Sequence, residues 1–267
     1  MSTTRILHYP GSKWSMADWI ISHMPDHQTY CEPFFGSGSV LFRKKASRIE
    51  TVNDLDGNVV NLFKVIRDRP EELAHAIRWT PYAREEYYAS YDDVKDDIER
   101  ARRFLVRMWQ AIGAKTSDRT GWRSDISVDT SYKPKEWVKL PDKILSVTER
   151  LKEVQIENQY AEMIVDRYRR PDVLLYCDPP YLLSTRSKRL YKHEMMSEEE
   201  HIRLLDQLEE HPGPVLLSGY ANELYENRLR HWNKQTKWVA AESGKSRMEV
   251  LWMNPAAANQ TRQLTLF

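Results

Sequence analysis

Apolar and polar positions along the 267-residue chain change period several times, and each change marks an element. From Asp56 to Arg67 the apolar residues are Val59, Val60, Leu62, Phe63 and Ile66, the spacing of a helix with one buried stripe. Val173 to Cys177 is instead a short unbroken apolar run, as expected of a strand covered on both faces. On the same grounds Tyr30-Cys31-Glu32 reads as a strand end, Ser39 to Lys45 as a helix start and Ile49 to Asn53 as a strand. A long helical stretch is expected from Pro70 to about Ile112, broken at Pro81. Helical spacing disappears between Gly113 and Pro134, where Ser, Thr, Asp and Arg dominate, and returns from Lys135 to Leu151. Strand and helix then alternate: Val154 to Ile156, Ala161 to Arg169, Val173 to Cys177, Ser197 to Glu210, Val215 to Ser218 and Asn222 to Arg230. Lys237 to Ala241 and Met248 to Met253 close the chain as two strands, followed by a loose stretch from Pro255 to Arg262. The simplest assembly is a parallel α/β sheet built from both ends of the chain, with a mainly helical insertion between about 70 and 150.

Composition narrows the function classes. Apolar residues make up 41% and charged residues 30%, which fits a folded globular protein. No apolar run is long enough to span a bilayer, and Met1 to Lys13 has no charged start, apolar middle and cleavage site. Two cysteines, Cys31 and Cys177, are too few for a disulfide scaffold or a cysteine-rich zinc site; no metal site is expected, and a reducing cytoplasm fits. Net charge is only +1, but its distribution is uneven: ten Lys/Arg face four acids between Arg100 and Leu140. A second basic run, Arg186, Lys188, Arg189 and Lys192, has no acid between Tyr181 and His193. Either run alone reads as a solvated face. Together, flanking the motif described next, they suggest a polyanion site.

Asp178-Pro179-Pro180-Tyr181 follows the apolar strand, and ligands of open α/β sheets bind at the carboxyl ends of strands. Two prolines fix φ and remove two N–H donors, leaving a stiff corner rich in acceptors. The motif would suit a planar group carrying an exocyclic amine; the bland reading is a proline turn ending a strand. Glu32-Pro33-Phe34-Phe35-Gly36-Ser37-Gly38 lies between the first strand and its helix. Its two glycines let backbone approach a ligand closely. Asp54 follows Gly36 by 18 residues, the placement of an acid that binds ribose hydroxyls. Glycine turn and acid together suggest a nucleoside cofactor. Tyr9-Pro10-Gly11-Ser12-Lys13 has the form of a second turn with one cation.

In this order, these three segments with Asn53-Asp54 resemble the Dam-type DNA adenine methyltransferases, their phage and prophage members most closely. The likeness extends over Ser218-Gly219-Tyr220 and Arg247 to Trp252, and so over most of residues 6 to 255. It implies a Rossmann-like S-adenosylmethionine-dependent methyltransferase sheet with an inserted, mainly helical target-recognition domain. The catalytic domain would then be 1–69 plus 152–254, the insertion 70–151, and 255–267 a flexible tail. S-adenosylmethionine is the implied methyl donor. Tyr9, Pro10, Gly11 and Lys13 would close over it, Glu32, Pro33, Phe34, Gly36 and Gly38 would lie against its methionine part, and Asp54 would take the ribose. Tyr160, within Gln159-Tyr160-Ala161, and Asp178 would complete the pocket. The implied catalytic set is Asp178, Pro179, Pro180 and Tyr181. An adenine amine shares its lone pair with the ring and is a poor nucleophile. Asp178 and the Pro179 carbonyl would accept its two hydrogens, favouring a pyramidal nitrogen that the planar ground state lacks. The adenine must first leave the duplex, with Tyr181 stacking on it and Tyr191 or another aromatic helping.

The insertion would read DNA. Thr120-Gly121-Trp122-Arg123-Ser124-Asp125 looks like the recognition-loop segment of that group, with Arg123 placed for a bidentate contact to guanine. Lys115, Arg119 and Lys133 would hold phosphates, as would Arg186, Lys188 and Arg189. Trp122 serves either DNA contact or local packing. The segment departs from the GATC-reading pattern, so GATC is one possible site among others. Outside this resemblance, Gln263-Leu264-Thr265-Leu266-Phe267 matches the Gln-Leu-x-Leu-Phe peptide by which bacterial replication and repair proteins bind the sliding clamp. Gln263, Leu264, Leu266 and Phe267 would be its anchors, presented on a disordered tail; the alternative is a tail packed on its own domain.

Three other functions compete. Cytosine-N4 methylation more often opens the motif with Ser, and protein glutamine methylation opens it with Asn. A catalytically silent DNA-binding protein on the same fold would have no use for an intact Lys13, Asp54 and Asp178 to Tyr181 set. RNA is a further substrate class. No Pro-Cys pair supports carbon methylation of cytosine, and Cys31 and Cys177 read as small strand residues.

Overall fold

The computed structural model describes residues 5–113, 115–127, 132–185, 189–240 and 246–264; side chains are described for all of these except 240 and 260–264. A short helix, α1 (Ala17–Ile21), precedes strand β1 (Thr29–Glu32), helix α2 (Ser39–Arg43), strand β2 (Ile49–Asn53) and helix α3 (Gly57–Asp68). The insertion carries α4 (Pro70–Arg78), α5 (Arg84–Ala89), α6 (Asp97–Gln110), α7 (Lys133–Trp137) and α8 (Leu140–Leu151). The chain returns as β3 (Val154–Glu157), α9 (Ala161–Arg167), β4 (Val173–Cys177), α10 (Glu198–Glu209), β5 (Val215–Tyr220) and α11 (Glu223–Arg228). A hairpin of β6 (Asn233–Ala240) and β7 (Ser246–Met253) and a helix α12 (Pro255–Leu264) end it.

Seven strands form one sheet in the order β3-β2-β1-β4-β5-β7-β6. The first five are parallel, and β7 runs antiparallel to both β5 and β6. Chain order reverses between β1 and β4, so their carboxyl ends, Glu32 and Cys177, open the crevice where an α/β sheet takes its ligand. One face of the sheet shares its apolar core with α1 to α3 and with the insertion, through Leu73, Ile77, Phe104, Leu105, Trp109 and Ile144. The other face packs against α9, α10 and α11 through Ile164, Leu204, Leu208 and Tyr225. The helices of residues 70–151 are therefore sewn into the core of the sheet rather than tethered to it.

Several elements differ from the sequence pattern for local reasons. The stretch from Pro70 breaks a second time before α6, where the Asp96 side chain caps the Glu99 amide. Lys135 to Leu151 is two helices, each with a proline in its first turn, at Pro134 and Pro141. β6 starts at Asn233, earlier than expected, because its exposed face carries Lys234 and Thr236 and conceals the strand period. The loose stretch from Pro255 to Arg262 is corrected to a helix, α12. Asn254 starts it: its Oδ1 accepts from the Val215 and Ala257 amides at 3.0 Å each, and Ala257 is fully buried. Gln263 and Leu264 continue that helix, while Leu266 and Phe267 lie outside the described residues. Among the described residues no helix is long and apolar enough to cross a membrane.

Candidate active site

The corner after β4 meets the amino-terminal turn. Lys13, 6% exposed, puts its Nζ 2.9 Å from Asp178 Oδ2, and the same ammonium donates to the Gly11 carbonyl at 3.0 Å. It also stands 4.8 Å above the Tyr181 ring. Asp178 Oδ1 is buried and meets no donor at hydrogen-bonding geometry. Burial pushes the Asp178 carboxyl up to about 6, opposed by the Lys13 charge. Burial works against the Lys13 ammonium, yet Asp178 and Glu249 outweigh it and hold the lysine protonated. The Tyr181 hydroxyl donates to Glu249 Oε2 at 2.8 Å, which fixes the ring from β7, and its edge meets Tyr220 at 4.5 Å. The corner therefore presents one free carboxylate oxygen beside an immobilised ring. A primary amine on a flat heterocycle has the matching shape and donors.

Beside the corner lies a cleft of about 1030 Å³, open mouth included. Its wall contains Tyr9, Pro10, Gly11, Lys13, Glu32, Pro33, Phe34, Gly36, Asp54, Tyr160, Asp178 and Pro180, so the structure gathers three sequence motifs, the acid after β2 and the residue before α9 into one site. Gly36 has φ +51° and a Cβ there would press on the Tyr9 ring at 3.2 Å, which explains the glycine. Gly38 is not on the wall. Its φ is +68°, and a Cβ would strike the rings of Phe35 and Phe42 at 2.6 and 2.7 Å, so this glycine serves ring packing behind the loop. Pro179 and Tyr181 likewise stand outside the wall, at the corner itself.

Asp54 also holds backbone together. It lines the cleft, but its oxygens accept the Gly36 and Asp56 amides at 2.8 Å each, tying β2 to the glycine turn. Burial pushes its carboxyl up to about 7, with those two amides opposing. Asp56, also on the cleft wall, caps α3 through Oδ1 while its buried Oδ2 meets no donor. Asn53 was also unrecognised as a positioning residue. Its amide group donates to the carbonyls of Pro33 and Gln159 and accepts from the Gln159 amide, clamping two walls of the cleft together. A second acid two residues after Asp54, and an Asn before it, were the only available signals. Glu32 is fully enclosed, accepts from Tyr30 at 2.9 Å and is held by burial well above the usual carboxylate range.

Tyr191 belongs to the cleft rather than to the Tyr181 corner: its hydroxyl donates to Pro10 at 3.2 Å, its ring lies 6.0 Å from Tyr9, and it is where a Gly11 Cβ would collide. Cys31 and Cys177 are free, buried in the core and pushed up by burial, so neither is placed as a nucleophile.

The basic insertion is less basic than its composition. Arg102 pairs with Glu86 and Glu99, Arg103 with Glu99 and Arg100 with Asp97, acids lying outside the window from Arg100. Lys115 pairs with Asp118 and Lys139 with Glu136. Among the described residues no carboxylate pairs with Arg119, Arg123, Lys133 or Lys135. Arg119 lies 5.3 Å from the Tyr88 ring. Trp122 packs: its Nε1 donates to Gln110 at 3.2 Å, and Tyr82 and Arg84 flank it. The structure also joins the two basic runs, since the Thr116 amide donates to the Leu190 carbonyl at 2.9 Å and the Lys192 amide to Thr116 Oγ1 at 3.0 Å. Arg189 is exposed on that seam. Arg186 and Lys188 lie outside the described residues.

Comparison with known proteins bears on this site. A sequence profile described as D12 class N6 adenine-specific DNA methyltransferase matches residues 9–246. A DNA adenine methylase of Escherichia coli (strain K12) is 24% identical over 254 residues, covering 89% of this chain and 90% of that protein. A type II methyltransferase, M1.LlaDCHI of Lactococcus lactis subsp. cremoris, is 28% identical over 246 residues, covering 84% of each. A solved putative methyltransferase from Streptococcus mutans in complex with SAH aligns over 90% of this chain and 96% of its own at 7% identity, with a TM-score of 0.39, too loosely to add support.

Proposed function

The chain belongs to the D12 class of N6 adenine-specific DNA methyltransferases, and from that premise we propose that Asp178 to Tyr181 form its catalytic corner and the adjoining cleft its methyl-donor pocket. The family's reaction is methylation of adenine in DNA. The single observation carrying the residue assignment is Asp178, with one oxygen held by Lys13 and the other bare and buried at the cleft wall. The cleft fits S-adenosylmethionine. Asp56 Oδ2 is an orphaned buried acceptor, Phe34 and Tyr160 supply apolar surface, and the Gly36 turn admits close backbone approach. Tyr9, Pro10, Gly11, Lys13, Glu32, Pro33, Phe34, Gly36, Asp54, Asp56 and Tyr160 would hold it, and bound there it supplies an electrophilic methyl group.

The rest falls to the protein. Asp178 Oδ1 accepts one hydrogen of the adenine amine and the Pro179 carbonyl the other, drawing the nitrogen toward a pyramidal form with its lone pair exposed. Lys13 keeps Asp178 ionised, so that it accepts rather than donates. Tyr181, braced by Glu249, stacks on the extruded base, and the stiff Pro179-Pro180 backbone keeps donor and acceptor in register. Residues 1–69 and 152–254 act as the catalytic unit. Residues 70–151 read the duplex, with Arg123 at a base edge and Lys115, Arg119, Lys133, Arg186, Lys188 and Arg189 on phosphates. Digestion of treated DNA to nucleosides tests the reaction: N6-methyladenine is expected, and N4-methylcytosine alone would overturn it.

The tail carries a second reading, a tether to a bacterial sliding clamp through Gln263, Leu264, Leu266 and Phe267, in the cytoplasm of a bacterial or phage-infected cell. It rests on the pentapeptide match alone. Because α12 extends through Leu264, an extended docked peptide requires its last turn to unwind. Deleting residues 263–267 should abolish clamp pull-down and leave methylation of short oligonucleotides unchanged; an undiminished pull-down removes the tether.

A further inference from the structure

Next to the catalytic corner, the rim of the sheet carries a shallow groove lined by Ser184, Thr185, Tyr220, Trp238, Arg247 and Met248. Trp238 is 69% exposed although it sits in a regular strand, opposite Met248 in the β6–β7 hairpin. Its indole makes no ring contact or hydrogen bond among the described residues. Arg247 lies 5.7 Å from the Tyr220 ring and donates to its hydroxyl at 3.3 Å, and among the described residues no carboxylate pairs with it. Tyr220 in turn meets Tyr181 edge to face. An exposed flat ring, a guanidinium in no ion pair among the described residues and the hydroxyls of Ser184, Thr185 and Tyr220 thus run continuously into the corner where the base is expected.

We propose that this groove holds the strand carrying the target adenine, with a neighbouring base stacked on Trp238 and a backbone phosphate on Arg247. The proposal rests on the DNA-methylation reading above. A base extruded into the corner brings its flanking phosphates with it, and those phosphates need a cation on the catalytic side of the site. Sequence-tolerant grooves for a single strand combine such a cation with an aromatic platform. A purely apolar protein ligand would gain nothing from an unpaired guanidinium. The groove is a second DNA contact, separate from the insertion and independent of base identity.

Full-length protein, a 30-bp mixed-sequence duplex and plasmid DNA lacking N6-methyladenine form the test. Arg247→Gln should weaken duplex binding, measured by fluorescence anisotropy, and reduce its salt slope by about one ion. Trp238→Ala should lower labelled-methyl transfer to the plasmid about tenfold in kcat/KM, with Trp238→Phe restoring most of it. S-adenosylmethionine affinity should be unchanged in all three variants, which separates loss of the groove from loss of fold. Unchanged salt slope in Arg247→Gln together with unchanged transfer in Trp238→Ala overturns the proposal and leaves the groove to a protein partner. Failure of the wild type to methylate any DNA would overturn the functional reading itself, and this one with it.

Discussion

Two carboxylates, the half-buried Asp178 and the buried Glu50, each face a lysine, and their fates differ. Glu50 begins at the amino end of β2 and is satisfied on both oxygens: Lys44 Nζ lies 2.6 Å from Oε1, the Ser47 amide 3.0 Å from the same atom, and Arg150 of the insertion pairs with Oε2. Burial works to raise its carboxyl, but Arg150 and Lys44 overcome it and hold it below the ordinary value. Asp178 has one lysine and one bare oxygen, and burial wins, at about 6. A fully partnered buried acid binds elements of the fold together, here β2 to α8. A half-partnered one such as Asp178 leaves a lone pair available to a donor from outside the protein. The contrast separates structure from chemistry without reference to motif.

Replacing either acid with alanine should have opposite consequences for stability and for methyl transfer. Glu50→Ala should cost about 3–5 kcal/mol, because Lys44 and Arg150 are left as uncompensated buried charges, and denaturant melts will show it. Methyl transfer by its folded fraction should survive; a melt unchanged from wild type would mean the network is idle. Asp178→Ala should instead lower single-turnover methyl transfer by about a hundredfold or more, since a transition-state acceptor is lost. Its melting point should move less than that of Glu50→Ala.

Lys13→Gln sharpens the distinction through pH. In the wild type the transfer rate should fall tenfold per unit as pH drops below about 6, where Asp178 gains a proton and ceases to accept. Lys13 lowers the Asp178 value, so its removal moves that midpoint upward: the rate at pH 6.5 should drop and recover at pH 8. A midpoint that stays in place would show that the ion pair does not set the acceptor's charge. The smallest effect is expected from Tyr181→Phe, which keeps the stacking ring but loses the bond to Glu249, about threefold in rate.

The element pattern was largely legible. Five apolar residues in a row named β4, and the spacing after Asp56 named α3, because burial imposes a period on local sequence. Elements with a polar exposed face, such as the start of β6, left no such period, and the tail's helix depended on Asn254 bonding to β5. The motif residues of the cleft were legible for the same local reason: prolines and glycines at fixed offsets record backbone demands. Gly38 shows the limit of that logic, since a positive φ identifies a tight turn without saying which side of it faces a ligand.

Charge was the least legible property. The basic excess counted along the insertion dissolves where Glu86, Asp97 and Glu99 reach it from outside the counted window. Most strands and helices could be read from the chain because burial imposes a period on local sequence, and the order of the motifs carried the resemblance to the family that the profile match shows. Only the folded chain shows that Lys13 holds Asp178, that Glu249 braces Tyr181 and that Asp54 accepts two backbone amides while Asp56 keeps an oxygen free. Those are pairings between residues far apart in the chain, or choices between equivalent acids. They depend on which groups burial brings together and leaves without water, and no local pattern records that.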